Sequence, residues 1–173
     1  MMHFFKKYIL LLFIIPLTAV AQDTTYLKKQ AGRFARASFN GDYKTVIALT
    51  YPKLIEYSGG RDTMQKLITN RIEGLKKQGV IAFDGYVDAP GKLHDAGGQI
   101  HCLIPEVVTM KMFNGRYVNR TYLLAISDDN GKSWTFMDVG KMPLNLLQRL
   151  VPKYNLDLNI PTAGKPMFFA DKL

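Results

Sequence analysis

Three side chains in the second half of the chain carry groups that acid–base chemistry uses. Arg120 and Tyr122 lie in one strand-like run, and Asp138 lies near the end of the next. If the second run folds back around residues 128–132, alternation places Trp134 and Asp138 on the face that holds Tyr122 and Arg120. An acid, a phenol and a guanidinium on one half-buried face indicate a binding pocket with shifted pKa values, or a charge pair that closes the core edge.

These four residues are therefore the candidate ligand-binding set. Asp138 is also the candidate catalytic base, with Tyr122 or Arg120 as its electrophilic partner in an isomerase, hydrolase or dehydratase. No G-x-S-x-G, P-loop or H-E-x-x-H motif occurs, so the sequence favours binding over catalysis. Glu106 is predicted to face the other way, as an edge or interface charge.

The segment Ser127–Trp134 reads SDDNGKSW and matches the pattern S-x-D-x-G-x-x-W, the Asp-box of sialidase-type propellers. Asp and Asn side chains bond their own backbone, Gly adopts a positive φ, and the Trp packs beneath the turn. Because the pattern occurs once, in a chain too short for a propeller, it predicts a rigid hairpin turn and not a glycosidase.

Metal and disulfide chemistry have little support in the sequence. His94 and His101 lack the further convergent ligands of a zinc site, so neither a metal nor another cofactor is predicted. Cys102 is the single cysteine, which excludes an intramolecular disulfide, and its apolar neighbours predict a small buried side chain, not a nucleophile.

The first 21 residues are typical of a cleaved signal peptide. Lys6 and Lys7 precede an apolar run, and Ala19-Val20-Ala21 forms an A-x-A cleavage site. No cysteine follows the triplet, so the sequence predicts a secreted or periplasmic protein and not a lipoprotein. The remaining chain, residues 22–173, is predicted to form one domain without a membrane span.

The formal net charge is +9, but the basic residues are scattered. Lys29, Arg33 and Arg36 can share a helix face, and Lys76 and Lys77 end another helix. This distribution favours a solvated basic surface, or contact with anionic envelope surfaces, over nucleic-acid binding.

The elements that must position these residues follow from periodicity. Helices are predicted from Thr24 or Thr25 to Asn40, after Asp42 with an interruption at Pro52, and after Asp62. The third helix has an amphipathic pattern that faces a core. A last, short helix is predicted after Pro143.

Between them, four strand-like runs are predicted at Val80–Val87, Gln99–Phe113, Arg116–Ile126 and Ser133–Val139. The Asn114-Gly115 pair predicts a two-residue turn that places Phe113 opposite Arg116. Both faces of the resulting strand pair are largely apolar, so a second layer is expected to cover each of them.

The segments DYKTVIALTYPKLIEYSGG, LITNRIEGLKKQG and YLLAISDDNGKSWTFMDV resemble exported members of the nuclear-transport-factor-like superfamily, which includes the SnoaL-like cyclases. The resemblance implies an α+β fold in which N-terminal helices pack on a curved antiparallel sheet, a cone-shaped arrangement as in cystatins and nuclear transport factors. It also implies a pocket beneath the helices and a homodimer through the outer sheet face.

The leading hypothesis is an exported, non-catalytic domain that binds a small apolar or amphipathic ligand in the cone, or a partner at the cell envelope. The alternatives are the enzyme described above and an interaction-mediating subunit whose second sheet face docks another protein.

Overall fold

The computed structural model describes residues 24–171, in which four helices precede the sheet. The helices are α1 (Thr24–Asn40), α2 (Tyr43–Leu49), α3 (Pro52–Tyr57), α4 (Arg61–Lys77) and α5 (Leu144–Leu150). The strands are β1 (Ala82–Val87), β2 (Leu93–Asp95), β3 (Ile100–Met112), β4 (Gly115–Ser127), β5 (Thr135–Asp138) and β6 (Met167–Ala170). The predicted leader, residues 1–21, lies outside the described residues.

The helix boundaries follow the capping signals in most places. Asp42 accepts a hydrogen bond from the Thr45 amide and caps α2, as predicted. Pro52 separates α2 from α3 because its ring is tolerated only in the first turn of a helix. The predicted cap at Asp62 is wrong: Gly60 is the N-cap of α4, and Asp62 lies in its first turn, where a carboxylate favours the helix dipole.

The six strands form a mixed-length antiparallel sheet that curls into a half-barrel. The main order is β1-β3-β4-β5, and β2 pairs with the start of β3. The second edge of β4 is divided between two partners. β5 pairs with Leu123–Ile126, and β6 pairs with Gly115–Val118.

The β3–β4 register differs by two residues from the prediction. Phe113 was expected opposite Arg116, but Met112 faces Gly115, and Phe113 and Asn114 form the turn. Gly115 is drawn into the strand because β6 lies against it. A side chain at this position would collide with the β6 backbone, and its φ of +156° favours glycine. A shift of two residues leaves every side chain on its predicted face.

One face of the sheet, here called the helix face, packs against α1 and α2. Its fully buried part is formed by Ile100, Cys102, Ile104, Leu123, Ala125 and Phe136. Leu27, Ala31 and Phe34 of α1 lie on it at helical spacing, and the ring centroids of Phe34 and Phe136 are 5.4 Å apart. Side chains fill this part of the helix face.

The opposite face, here called the tail face, packs against α5 and the chain that follows it. Leu124, Ile126 and Met137 are buried there beneath Leu147 and Leu158. The C-terminal segment is therefore the second covering layer that is expected for a sheet with two apolar faces. In the region where this segment lies, the tail face is covered by the same chain.

The C-terminal segment is tied to the loop between β2 and β3 by polar contacts. Lys153 Nζ donates to the Gly97 carbonyl at 2.7 Å, and Asn155 Nδ2 donates to the Asp95 carbonyl at 2.6 Å. These bonds link positions far apart in sequence and hold the segment on the tail face.

Helix α4 packs more loosely than its pattern predicts. None of its residues is fully buried, and Leu67, expected to face the core, is 56% exposed. Ile68 contacts the edge of the helix-side core, and its neighbours on the same stripe are half-buried. This 17-residue amphipathic helix packs against α2 and α3 and has no fully buried side chain.

Candidate functional site

Asp138 does not lie beside Tyr122 and Arg120, so the predicted trio is wrong. Asp138 faces Leu123 across the β4–β5 ladder, which places it on the helix face. It is exposed, and its Oδ1 accepts hydrogen bonds from Thr121 Oγ1 at 2.7 Å and from the Gly140 amide at 2.9 Å. Asp138 is therefore separated from both of its predicted partners and is open to solvent on the other face of the sheet.

Arg120 and Tyr122 lie on the tail face and belong to separate environments. Arg120 is exposed, and its Nη1 lies 3.4 Å from Asp88 Oδ2. Tyr122 is half-buried and packs against the tail-side core. The predicted ligand-binding set is therefore divided between the two faces of the sheet.

Trp134 is a core residue because the Asp-box turn draws it inward. Its Nε1 donates to the Gly131 carbonyl at 3.1 Å, and its ring lies in the helix-side core at 5% exposure. Ser127 Oγ accepts from the Gly131 amide, so the whole segment belongs to the turn and β5 begins only at Thr135. The strand therefore starts one residue out of phase with the prediction, which moves Asp138 to the other face.

The Asp-box forms the rigid turn that the sequence predicts. Asp129 accepts hydrogen bonds from the backbone and hydroxyl of Ser133 and from the hydroxyl of Ser127. These bonds, those from Ser133 first, lower the pKa of Asp129 to about 2. The turn is thus held in one conformation by its own side chains.

A different group of polar side chains lies on the helix face, here called the polar cluster: Glu106, Asn119, Thr121 and Asp138. Glu106 and Thr121 face each other across the β3–β4 ladder, and Asn119 lies one step further along the same face. Glu106 is 6% exposed and Thr121 is 4% exposed. The cluster borders the filled part of the helix face, next to Ile104 and Leu123.

Burial decides the charge state of Glu106. Its pKa is raised to about 8, first by burial and then by the nearby charge of Asp138. Within residues 24–171 its carboxyl has no hydrogen-bond partner. At neutral pH the protonated form predominates, so Glu106 presents an O–H donor toward the cluster.

Asn119 adds an acceptor that the described chain does not satisfy. Its Oδ1 is buried and has no hydrogen-bond partner. Buried acceptors are ordinarily paired with a protein group, a water or a ligand. Residues 119–121 also lie between the segments of β4 that pair with β5 and β6, so this edge has no strand partner in the described chain.

Beyond the cluster, the helix face becomes apolar, with half-buried side chains on β3 and exposed rings on β4 and β6. This part, here called the open half, is formed by Val108, Met110, Met112 and Tyr117, with Phe168 of β6 beside them. The rings of Tyr117 and Phe168 are 4.9 Å apart. The ε-methyl of Met112 lies against Gly79, where the chain leaves α4. The loosely packed helix therefore ends beside the open half.

Metal ligands do not converge in the part of the chain that the structure describes. No group of three or more His, Cys, Asp or Glu side chains is placed to hold a metal ion there. His94 and His101 face each other across β2 and β3, and burial lowers the pKa of His101. Cys102 is buried as predicted, and burial raises the pKa of its thiol to about 12.

The prediction of Glu106 as an edge or interface charge is wrong, because its side chain is buried on a central strand, and sequence reasoning missed both Glu106 and Asn119 as site residues. The signal was present, because Glu106 is the one acid in a strand whose inward positions are otherwise apolar. A carboxyl at such a position is either paired or neutral when buried.

No protein-family model, curated protein or solved structure matches this chain. Between residues 24 and 171, no helix has the length and apolar character needed to cross a bilayer.

Proposed function

We propose that this chain is an exported, non-catalytic domain that binds a small uncharged amphipathic molecule on the helix face of its sheet. The proposal includes the nuclear-transport-factor-like cone. It is supported by helices that precede a curled half-barrel and by an apolar stretch of the helix face beside the end of α4. The apolar part of the ligand lies on the open half, and its polar group meets the polar cluster.

The observation that carries the proposal is the buried Asn119 Oδ1 without a hydrogen-bond partner, which lies with the Glu106 carboxyl at the boundary between the two halves. Protonated Glu106 supplies a donor, and Asn119 Oδ1 supplies a buried acceptor without a partner. A ligand hydroxyl can donate to the Asn119 oxygen and accept from Glu106, whereas a ligand amide donates through its N–H and accepts through its carbonyl oxygen. A site of this kind, apolar with a few convergent polar groups, is typical of small-molecule recognition.

The ligand does not occupy the deeper part of the helix face. Phe34 and Phe136 fill the space between α1 and the sheet there. Entry is expected past α4, because that helix has no fully buried side chain and moves at little energetic cost.

The enzymatic alternative loses its main candidate for a catalytic base, since Asp138 is exposed and separated from Tyr122 and Arg120.

A homodimer is part of the proposal only for the outer surface that the C-terminal segment leaves uncovered, near Thr109 and Val118. Sedimentation equilibrium of the chain from Gln22 onward distinguishes a monomer from that dimer.

The test is a fluorescence titration with N-phenyl-1-naphthylamine, a neutral apolar probe with one N–H donor. Val108→Gln places a polar group on the open half, whereas Val118→Gln makes the same change on the tail face. We expect Val108→Gln to weaken binding by about tenfold or more, because a valine contact contributes roughly 1.5–3 kcal/mol. Val118→Gln is expected to change the affinity less than about twofold. Equal effects of the two variants contradict the proposal.

A further inference from the structure

A second surface feature lies outside the helix face, between α1 and the edge strand β1. This groove has a volume of about 430 Å³, and three exposed cations line it: Lys28, Lys29 and Arg36. Within residues 24–171, no acidic side chain lies within 4 Å of any of the three. The described residues therefore leave their positive charge unbalanced at short range.

The three cations are distributed along α1: Lys28 and Lys29 follow its first turn, which contains no acid, and Arg36 lies in its carboxyl-terminal half. Like charges that line one groove repel one another, so an anion bound between them reduces that repulsion. The groove places such an anion next to the three side chains.

The floor of the groove contains a glycine that helix formation alone does not favour. Gly32 lies in the middle of α1, where glycine costs about 1 kcal/mol relative to alanine. A Cβ at this position would lie 3.2 Å from Arg36 Nη1, so the guanidinium extends across bare helix backbone. The missing side chain leaves the space that the groove and the Arg36 side chain occupy.

The strand side of the groove is less polar. Tyr86, which is 54% exposed, and Val87 line it. This side offers contact surface for an uncharged group attached to the anion. The lining thus combines cations on the helix with apolar surface on the strand.

We propose that this groove binds a phosphate-ester group, with Arg36, Lys28 and Lys29 as its cationic partners. A phosphate ester carries several acceptor oxygens, and the planar guanidinium matches that geometry in a bidentate manner. The ester is either a small soluble molecule or the headgroup of an anionic phospholipid, since both present the same chemistry. This site does not depend on the ligand proposed for the helix face.

The experiment uses the chain from Gln22 onward, which contains every described residue. Calorimetric titration with phenyl phosphate at low salt tests the soluble source. Co-sedimentation with phosphatidylglycerol vesicles, against phosphatidylcholine vesicles, tests the headgroup source. The groove variant carries Lys28→Gln, Lys29→Gln and Arg36→Gln. A charge-matched control carries the same substitution at exposed lysines elsewhere, namely Lys77, Lys132 and Lys165.

We expect the groove variant to weaken binding by about tenfold or more, since it removes every charge-assisted hydrogen bond that the groove can offer an anion. The control is expected to lose much less. Binding of phenyl phosphate supports a soluble ester, and binding of vesicles alone supports a headgroup. Equal losses in the two triple variants, or no binding in either arm, overturn the proposal.

A second pair of variants tests the space and leaves the charge unchanged. Gly32→Met fills the groove floor, whereas Gly74→Met places the same side chain at an open position on α4. Gly32→Met is expected to weaken phosphate-ester binding about tenfold. Unchanged affinity in Gly32→Met shows that the groove is not the site.

Discussion

Glu106 lies directly opposite Thr121 on the helix face, and the Thr121 hydroxyl is already donated to Asp138. Glu106 is therefore buried next to a side chain whose hydrogen has another acceptor. The result is a neutral carboxyl group without a partner, beside an amide oxygen of Asn119 that also lacks one. The proposed ligand supplies what these two groups lack.

The first prediction concerns the hydrogen bond between Thr121 and Asp138. Thr121→Val removes the donor and keeps the branched shape, so we expect a loss of about 1 kcal/mol in the free energy of unfolding. Thr109→Val, on the tail face and without a side-chain hydrogen bond in the described chain, serves as the control. Urea denaturation measures both. Equal stability of the two variants argues against a structural role for this bond.

The second prediction concerns the pH dependence that Glu106 imposes. Below about pH 4.5 the carboxyl is protonated in the folded and the unfolded chain. Between that pH and about 8 only the unfolded chain releases the proton, so folding stability falls as pH rises. Glu106→Gln removes this dependence. Between pH 5 and 9 we expect the wild type to lose on the order of 4 kcal/mol relative to the variant.

Thermal unfolding across this pH range measures the effect, and Glu73→Gln on the exposed side of α4 is the control. Probe binding is expected to weaken in the wild type above pH 8, where Glu106 ionises, and to stay constant in Glu106→Gln. A wild-type profile parallel to that of Glu106→Gln contradicts the burial of a neutral carboxyl.

The third prediction distinguishes the loose packing of α4 from the close packing of the tail face. Leu147→Ala removes a fully buried side chain and is expected to cost about 2–5 kcal/mol. Leu67→Ala removes a side chain that is 56% exposed and is expected to cost less than about 1 kcal/mol. Chemical denaturation compares the two. A large loss for Leu67→Ala means that α4 is anchored more firmly than its exposure indicates.

Much of this fold can be predicted from the sequence, and the two errors in strand pairing have separate causes. The β3–β4 register is wrong by two residues, which preserves the faces, so the placement of Glu106 opposite the Tyr122 face is confirmed. β5 is out of phase by one residue, which moves Asp138 to the other face. This change of phase in β5 arises in the Asp-box turn, because the packing of Trp134 decides at which residue the turn ends and the strand begins.

Strands β2 and β6 were missed because they are short and lack alternation. β6 in addition lies in a segment that contains Pro161 and Pro166, which indicated irregular structure. The exposure of α4 was also missed, since periodicity predicts an apolar stripe but not the depth at which it is buried. The open half of the helix face depends on the position of β6 and on the loose packing of α4. It could therefore not be predicted from local patterns.

The fourth prediction concerns the two glycines inside helices. Gly74→Ala is expected to stabilise the chain by up to about 1 kcal/mol, because nothing lies within 4 Å of the new Cβ. Gly32→Ala is expected to gain less, since the Arg36 side chain must shift from its position 3.2 Å away. Thermal unfolding measures both. A larger gain for Gly32→Ala than for Gly74→Ala is inconsistent with the described position of Arg36.

The most direct test of the ligand site is a methyl NMR titration of the chain from Gln22 onward with N-phenyl-1-naphthylamine. Met110 and Met112 lie on the open half, Met137 is buried on the tail face, and Met167 is exposed on β6. Single Met→Leu substitutions assign the signals. We predict that the ε-methyl resonances of Met110 and Met112 shift with saturation while those of Met137 and Met167 stay in place. Shifts confined to Met137 or Met167, or no shift at Met110 and Met112, would contradict the account.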